Sequence, residues 1–548
     1  MDKVPLTRRL VAPSALVVVA LTLFVTACFG DDDRGRRDEA ASESIELRGL
    51  ESLGDPGLEE TVRAAAIGIA ADLGLAVRFS GPVSGASSQS VTVGRQSTGE
   101  LSAEAVVRYW GAFTGFWSER TSLDLAMLQT ETALLLPQEH QTALSQILGN
   151  APSQARWLPA AGVAAAINGQ QGAVGLLPLE MGSTQLRSLS VGGVDLVRGE
   201  GRPEESPLVE RLFFSWEEDS MAGFASRLSE RVSQPPPAVV RMLFSGDIIP
   251  ARCVYARHLA LNDFTSAFRG TKETLVGADV TVGSLDASIS DVATPIGCIE
   301  TFNLMAPARS IEGIGAAGFD VMTVASNHVK DCGSQGFCDR AFLDTLTNLE
   351  GAGIATVGGG RDLNAAHQPA IIERKGVKFA FLGYDDIAAS ALGAGEDRPG
   401  TAALSSDALR RDIAAAKATA DAVIVLAQWG TEYTPDATLR QQELAAVAVE
   451  AGASLVVGNH PHVVQGLEWP RGSLIAYALG NFVFDQDWSL ETQQGVVMEV
   501  VFHGARAVGA RLLPHRIVDD HRPEWASPSE GRSILQRMRV ASEKLEGP

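Results

Sequence analysis

The sequence predicts an α/β fold for the carboxy-terminal half of the chain, roughly residues 239–515. Three observations carry this. Short apolar runs rich in Val, Ile and Ala recur, as strands buried on both faces do. Helical stretches lie between several of them, at 339–352 and 439–451. Each run stops abruptly at Gly, Asn, Asp or His, and in α/β folds ligands bind at the carboxyl ends of strands.

Taken in order, the runs give a set of polar tips. Residues 239–244 lead through Ser245-Gly246 to Asp247, and Arg252 follows with a fork suited to an anionic group. Residues 277–283 lead to Ser284-Leu285-Asp286, a second carboxylate. Residues 318–325 lead to Ser326-Asn327-His328. Residues 421–427 lead to Gln428-Trp429-Gly430-Thr431-Glu432-Tyr433. Residues 453–458 lead to Asn459-His460-Pro461-His462. Pro461 is expected to hold His460 extended, and side chains two apart in extended chain share a side. Two imidazoles near carboxylates suit Mn, Fe or Zn better than Mg or Ca. A pair of solvated histidines beside a proline is the plainer alternative.

Taken together, Gly246-Asp247 with Arg252, Asn327-His328 with Asp331 and Gly333, Trp429-Gly430 with Glu432-Tyr433, Gly458 with the run from His460 to Gly466, and Gly480-Asn481-Phe482 resemble the bacterial CapA family of poly-γ-glutamate capsule synthesis. That family is similar to calcineurin-type metallophosphoesterases. The resemblance implies a metallophosphatase-like sandwich of two mixed β-sheets flanked by helices. It also implies one or two divalent metals held by Asp247, Asp286, Asn327, Gln428, His460 and His462, with His328 as general acid or charge stabiliser. Arg252 and Glu432 would meet substrate. Two departures stand out. Gln428 occupies a place where the family has His, and an amide is the poorer ligand for such metals. Asp286 replaces a Glu.

The first residues bear on compartment. Arg8 and Arg9 precede an apolar run, 16–25, of signal-peptide length. It ends in Val25-Thr26-Ala27-Cys28, which resembles a lipobox, so residues 1–28 read as a lipoprotein signal and Cys28 as a lipidated membrane anchor. Residues 29–43 read as a flexible tether. Four further cysteines remain, 253, 298, 332 and 338. An even number in an exported chain favours two disulfides. Of three possible connectivities, 332–338 with 253–298 is favoured because Cys332 and Cys338 bracket a short loop. No paired C-x-x-C knuckles support a zinc site instead.

Residues 44–232 read as a smaller α/β domain, similar in order to part of a phosphate-type solute-binding fold. It has a strand near 75–81, an aromatic-rich stretch at 106–117, and a helix then a strand between 164 and 178. A Pro-rich linker, 233–238, separates the two domains, and 516–548 reads as a charged tail ending in a short helix. The chain carries 45 Lys and Arg against 66 Asp and Glu, a net charge of −21, which disfavours nucleic acid as a partner.

Three functions follow. The first is a metal-dependent hydrolase or transferase acting on an anionic polymer or phosphoester. The second is a non-catalytic polymer-binding component working with membrane capsule-synthesis proteins. The third is an extracellular phosphoesterase for phosphate scavenging.

Overall fold

The long apolar strands of the second half dictate a layered structure, because a strand with two apolar faces must be covered on both. The computed structural model describes residues 44–81, 89–98, 101–149 and 153–545. The lipidation candidate Cys28 and the segment 1–43 lie outside the described residues.

The amino-terminal part is built on strands β1 (Ser44–Arg48), β2 (Ala76–Ser80), β3 (Ser90–Gly94), β4 (Leu101–Gly115), β5 (Ser122–Leu123), β6 (Leu134–Pro137), β7 (Arg156–Leu158), β8 (Val174–Pro178), β9 (Leu186–Val191) and β10 (Val209–Trp216). They form one sheet in the order β2-β1-β3-β10-β4-β8-β6-β7, with β9 bridging β4 and β5. Helix α1 (Pro56–Asp72) starts where Asp55 accepts from the N–H groups of Gly57 and Leu58 and a proline stands in the first turn. Helices α2 (Ala160–Gly169) and α3 (Ala222–Val232), with two shorter ones at Leu125–Thr130 and Gln141–Ile147, complete this part. The aromatic stretch is core: it lies on the 15-residue β4, where Trp110 and Phe113 are fully buried.

The Pro-rich stretch then leads from α3 into β11 (Val239–Ile248). From β11 on, two sheets face each other. The first runs β14-β13-β12-β11-β22-β23-β24, made from β12 (Val280–Leu285), β13 (Val321–Thr323), β14 (Ala355–Val357), β22 (Gln494–His503), β23 (Arg506–Val518) and β24 (Arg522–Trp525), with β21 (Asn481–Val483) beside the end of β11. Its strands β11 to β14 are parallel, while β22, β23 and β24 are antiparallel. The second sheet runs β15-β16-β17-β18-β20-β19, from β15 (Ala370–Arg374), β16 (Val377–Asp385), β17 (Ala422–Gln428), β18 (Leu455–Asn459), β19 (Leu467–Glu468) and β20 (Leu474–Ala476). Its four inner strands are parallel.

Phe244, Val282, Phe381, Ile424, Val457 and Met498 meet between the sheets in the main core. The outer face of the first sheet is covered by α4 (Arg252–Leu261) and α5 (Asp339–Gly351), which contribute Val254, Phe342 and Leu346. The outer face of the second is covered by α6 (Ser406–Lys417) and α7 (Leu439–Ala451) through Leu409, Ile413, Leu444 and Ala448. A capping box between Thr438 and Gln441 starts α7, and Gly452, at φ 108°, ends it. The half is therefore a sandwich of two mixed sheets flanked by helices.

The carboxy-terminal segment differs from the expectation of a charged tail with a short helix. Strand β24 extends the first sheet, and α8 (Pro528–Leu545) is an 18-residue amphipathic helix that buries Ile534 and Met538 in the main core. Its charges occupy one face and hid the apolar stripe from a reading based on composition. From Ser44 on, the chain is one compact unit. Val194, Leu196 and Val197 of the amino-terminal part pack on Val501 and Val508 of the sandwich.

Candidate metal centre

The polar tips meet at the carboxyl ends of β11, β12, β13, β17 and β18, between the two sheets. Gly246 allows this close packing: a Cβ there would collide with the carbonyl of Gly480. The next residue, Asp247, is fully buried. Its Oδ1 accepts from Ser284 Oγ at 3.1 Å and its Oδ2 from the His460 N–H at 3.2 Å. Burial and the neighbouring Asp286 push the Asp247 carboxyl well above its usual pKa. Asp286, also fully buried, accepts from Ser326 Oγ through Oδ1, while its Oδ2 has no protein partner.

His460 and His462 depart from the expected extended chain. Their φ angles are 99° and 59°, in the left-handed region that non-glycine residues rarely enter. The sharp turn is what lets the His460 backbone N–H reach Asp247. The two rings nevertheless come together, with centroids 5.9 Å apart. Burial, then the proximity of His462, lowers the His460 pKa to about 4, and its Nδ1 is buried without a partner. His462 is fixed by Asn481. The Asn481 amide nitrogen donates to Gln486 Oε1 and the Thr492 carbonyl, each at 3.0 Å, so its Oδ1 accepts from His462 Nδ1–H at 2.8 Å. That leaves His462 Nε2 with a free lone pair.

His328 stands across the cleft. Its Nδ1 meets Asp331 Oδ2 at 2.8 Å, and that carboxylate also accepts from the Leu304 N–H at 2.6 Å. Burial favours neutral imidazole, but the charges of Asp286, Asp331 and Glu432, with the Asp331 hydrogen bond, hold the pKa up at about 9. The cleft, about 410 Å³, is lined by His328, His462, Glu432, Tyr433, Arg252 and Trp488, among others. Tyr433 stacks on His462 with ring centroids 6.0 Å apart.

Three expected roles change. Arg252 is not a free clamp. Its guanidinium grips Asp485 with two contacts, at 2.9 and 3.2 Å, donates to the Thr301 carbonyl at 3.1 Å and lies over Phe484. Glu432 sits with His460 and His462, their ligand atoms within 4.8 Å of one another, so it faces the metal side rather than substrate alone. Gln428 is buried, and its Nε2 donates to Asn327 Oδ1 at 3.5 Å, a long bond that engages the very oxygen expected on a metal. The sequence reading quoted Asp331 and Asn481 among the motif residues without giving them a supporting role, and it did not name Asp485. Asp331, three positions after His328, was readable from spacing. Asn481 opens β21 and Asp485 follows it, far along the chain from their partners, and no local pattern announces those contacts.

The donor set fits a divalent cation. Asp247, Asp286 and His462 bring ligand atoms within 4.8 Å of one another, and Asp286 Oδ2 and His460 Nδ1 are buried polar atoms awaiting a partner. A bound divalent ion supplies Lewis-acid polarisation of an acyl or phosphoryl oxygen. Cys253 is bonded to Cys298, and Cys332 to Cys338, and both bridges secure loops beside the cleft.

The family described as bacterial capsule synthesis protein PGA_cap matches residues 241–486. The capsule biosynthesis protein CapA of Bacillus anthracis is 33% identical over 245 residues, covering 44% of this chain and 57% of that protein. The PGA biosynthesis protein CapA of Bacillus subtilis is 30% identical over 260 residues, covering 47% of this chain and 67% of that protein. The chain belongs to the PGA_cap family. The family match covers the sandwich as far as Gln486, leaving β22, β23, β24 and α8 outside it, and includes every residue of the centre from Asp247 to Gln486. The chain spans little more than half the length of the first of these relatives, and its amino-terminal part lies outside the PGA_cap match. Among solved structures, the calcineurin-like phosphoesterase YfkN of B. subtilis overlaps with a TM-score of 0.32 at 13% identity, covering 57% of this chain and all of that chain. An ABC-type phosphate transport receptor of Vibrio cholerae overlaps at 0.25 and 10% identity, covering 34% of this chain and 93% of that chain.

Proposed function

We propose that this chain is a metal-dependent hydrolase or transferase that acts on an anionic capsule polymer, poly-γ-glutamate in the first instance, outside the cytoplasm. The observation that carries this reading is the convergence of two buried carboxylates, Asp247 and Asp286, on His462, which in turn neighbours His460 and Glu432, in a chain of the PGA_cap family. Buried carboxylates without cations are costly, so a site built this way is built to hold metal. His328, oriented by Asp331, presents Nε2 to the cleft as proton donor to a leaving amine or alkoxide. Asn481 holds His462 in one tautomer, and Tyr433 and Trp488, packed edge to face at 5.8 Å, form an aromatic side of the cleft.

Cys28, after its apolar run, supports membrane anchoring by lipidation. Metabolic labelling with a fatty acid should tag the wild-type chain and not Cys28→Ser. An equally labelled variant would remove the anchor.

A second reading, polymer binding without turnover, draws on Gln428, whose amide engages Asn327 where the family has a histidine. One experiment separates the two. The full chain is purified, its metal content measured, and poly-γ-glutamate and phosphoester cleavage assayed. Activity that falls about a hundredfold or more in His328→Ala with metal retained supports the enzyme. Tight polymer binding with no turnover and less than one metal per chain supports the binder. Phosphoester cleavage without effect on the polymer would replace both with a scavenging role.

A further inference from the structure

A second polar cavity, of about 210 Å³ and sharing no lining residue with the cleft, lies where β5 and β9 of the amino-terminal part meet β22 and β23 of the sandwich. Arg187, Arg198 and Arg511 line it, together with Ser122 and Ser190. Most of the charge here is internally matched. Glu499, fully buried, takes Arg198 at 2.7 Å, Arg241 at 3.0 Å and Arg511 at 3.0 Å. Glu200 pairs with Arg198 at 2.5 Å. Asp195 accepts from Ser188 Oγ at 2.7 Å and from the backbone N–H groups of Val197 and Arg198 at 3.0 and 3.2 Å.

Arg187 is the exception. Its Nη1 donates to the Ser118 carbonyl at 2.8 Å, and among the described residues no carboxylate forms an ion pair with it. Burial, then the positive charges of Arg511 and Arg198, holds its pKa below the usual value, and Glu119 offsets this only from a distance. Arg198, Arg241 and Arg511 thus share Glu499 and Glu200, Asp195 is held by Ser188 and the backbone, and Arg187 is left to face a cavity with hydroxyl groups on its wall. A part-buried guanidinium with one donor engaged and the others open towards a cavity is a ready partner for an anion.

We propose that this seam cavity is a binding site for one small oxyanion, a carboxylate or a phosphate, with Arg187 as the principal donor and Ser122 and Ser190 as hydroxyl donors. The volume admits a single such group and excludes a stretch of polymer. Because Arg187 and the serines come from the amino-terminal part and Arg511 from the sandwich, the bound anion ties the two together. The inference is independent of the reaction at the metal centre.

The test titrates the full chain with inorganic phosphate and, separately, with free glutamate, at fixed ionic strength in potassium chloride, by isothermal calorimetry and thermal unfolding. The expected result is saturable binding of at least one of them with a rise in melting temperature. Which ligand binds tells the phosphate source from the carboxylate source. Binding should weaken about tenfold or more in Arg187→Gln and survive in His462→Ala. If Arg187→Gln does not fold, Arg187→Lys replaces it, since one ammonium cannot reproduce the fork, and the same weakening is expected. No saturable binding of either anion would overturn the proposal. So would binding that persists in the Arg187 variant and disappears in His462→Ala, which would place the anion at the metal centre.

Discussion

At the scale of single residues, the metal centre depends on side chains that touch no substrate. Asn481 is one. By accepting from His462 Nδ1–H it fixes which nitrogen faces the cleft, and such orienting bonds are commonly worth ten- to a hundredfold in metal affinity. Asn481→Ala should therefore lower metal affinity by about that factor, read by titration with Mn or Zn and a competing chelator. Unchanged affinity would show that His462 is held by packing alone. Gln428 gives a prediction of opposite sign. Gln428→His restores an imidazole at the tip of β17 and frees Asn327 Oδ1, so metal bound per chain should rise. If metal content stays level while Asn327→Ala lowers it, Gln428 is not the weak point. The tips themselves were readable because each polar residue ends an apolar run. What could not be read was their support. Asp485 binds Arg252 across more than 200 residues, and no local pattern encodes that contact.

At the scale of elements, the strands and the two long helices of the sandwich follow directly from period and length, since 339–352 and 439–451 fold as α5 and α7. The loop carrying His460 and His462 did not follow. The steric preference of a residue before proline favours extended chain, but tertiary contact with Asp247 won at His460, and His462 too takes a positive φ. The tail was misread because charge was weighed above the apolar stripe that α8 buries. The disulfides make a quantitative case. Cys253 and Cys298 are 45 residues apart and Cys332 and Cys338 only 6. Chain entropy then assigns about 4 kcal/mol to the first bridge and about 2 kcal/mol to the second. Cys253→Ser with Cys298→Ser should lower unfolding free energy in urea by more than Cys332→Ser with Cys338→Ser. The reverse order would mean that the short bridge holds the His328 loop against strain.

At the scale of the whole molecule, the two parts are joined by a charge cluster as well as by apolar contact. Burial alone would raise the pKa of Glu499, but Arg198 from the amino-terminal part, with Arg511 and Arg241 from the sandwich, overrides it and brings the pKa down to about 2. A carboxylate whose folded pKa lies below its unfolded value stabilises the fold above the unfolded value and ceases to do so as pH falls through the folded one. The contribution of Glu499 is thus complete above about pH 4.5 and disappears between there and about pH 2. Glu499→Gln leaves three guanidinium groups without their shared partner, a loss of about 3 kcal/mol at pH 7 by analogy with other broken buried pairs. The variant should melt at a lower temperature near neutrality, and the gap from the wild type should narrow once the pH drops below about 4.5. A gap that stays constant down to pH 2 would show that Glu499 acts through shape and hydrogen bonding rather than charge. Because Arg198 reaches across the seam, the same substitution should also loosen the two parts before the sandwich itself unfolds. Hydrogen exchange would register this as faster exchange in β9 and β23 with β17 and β18 still protected.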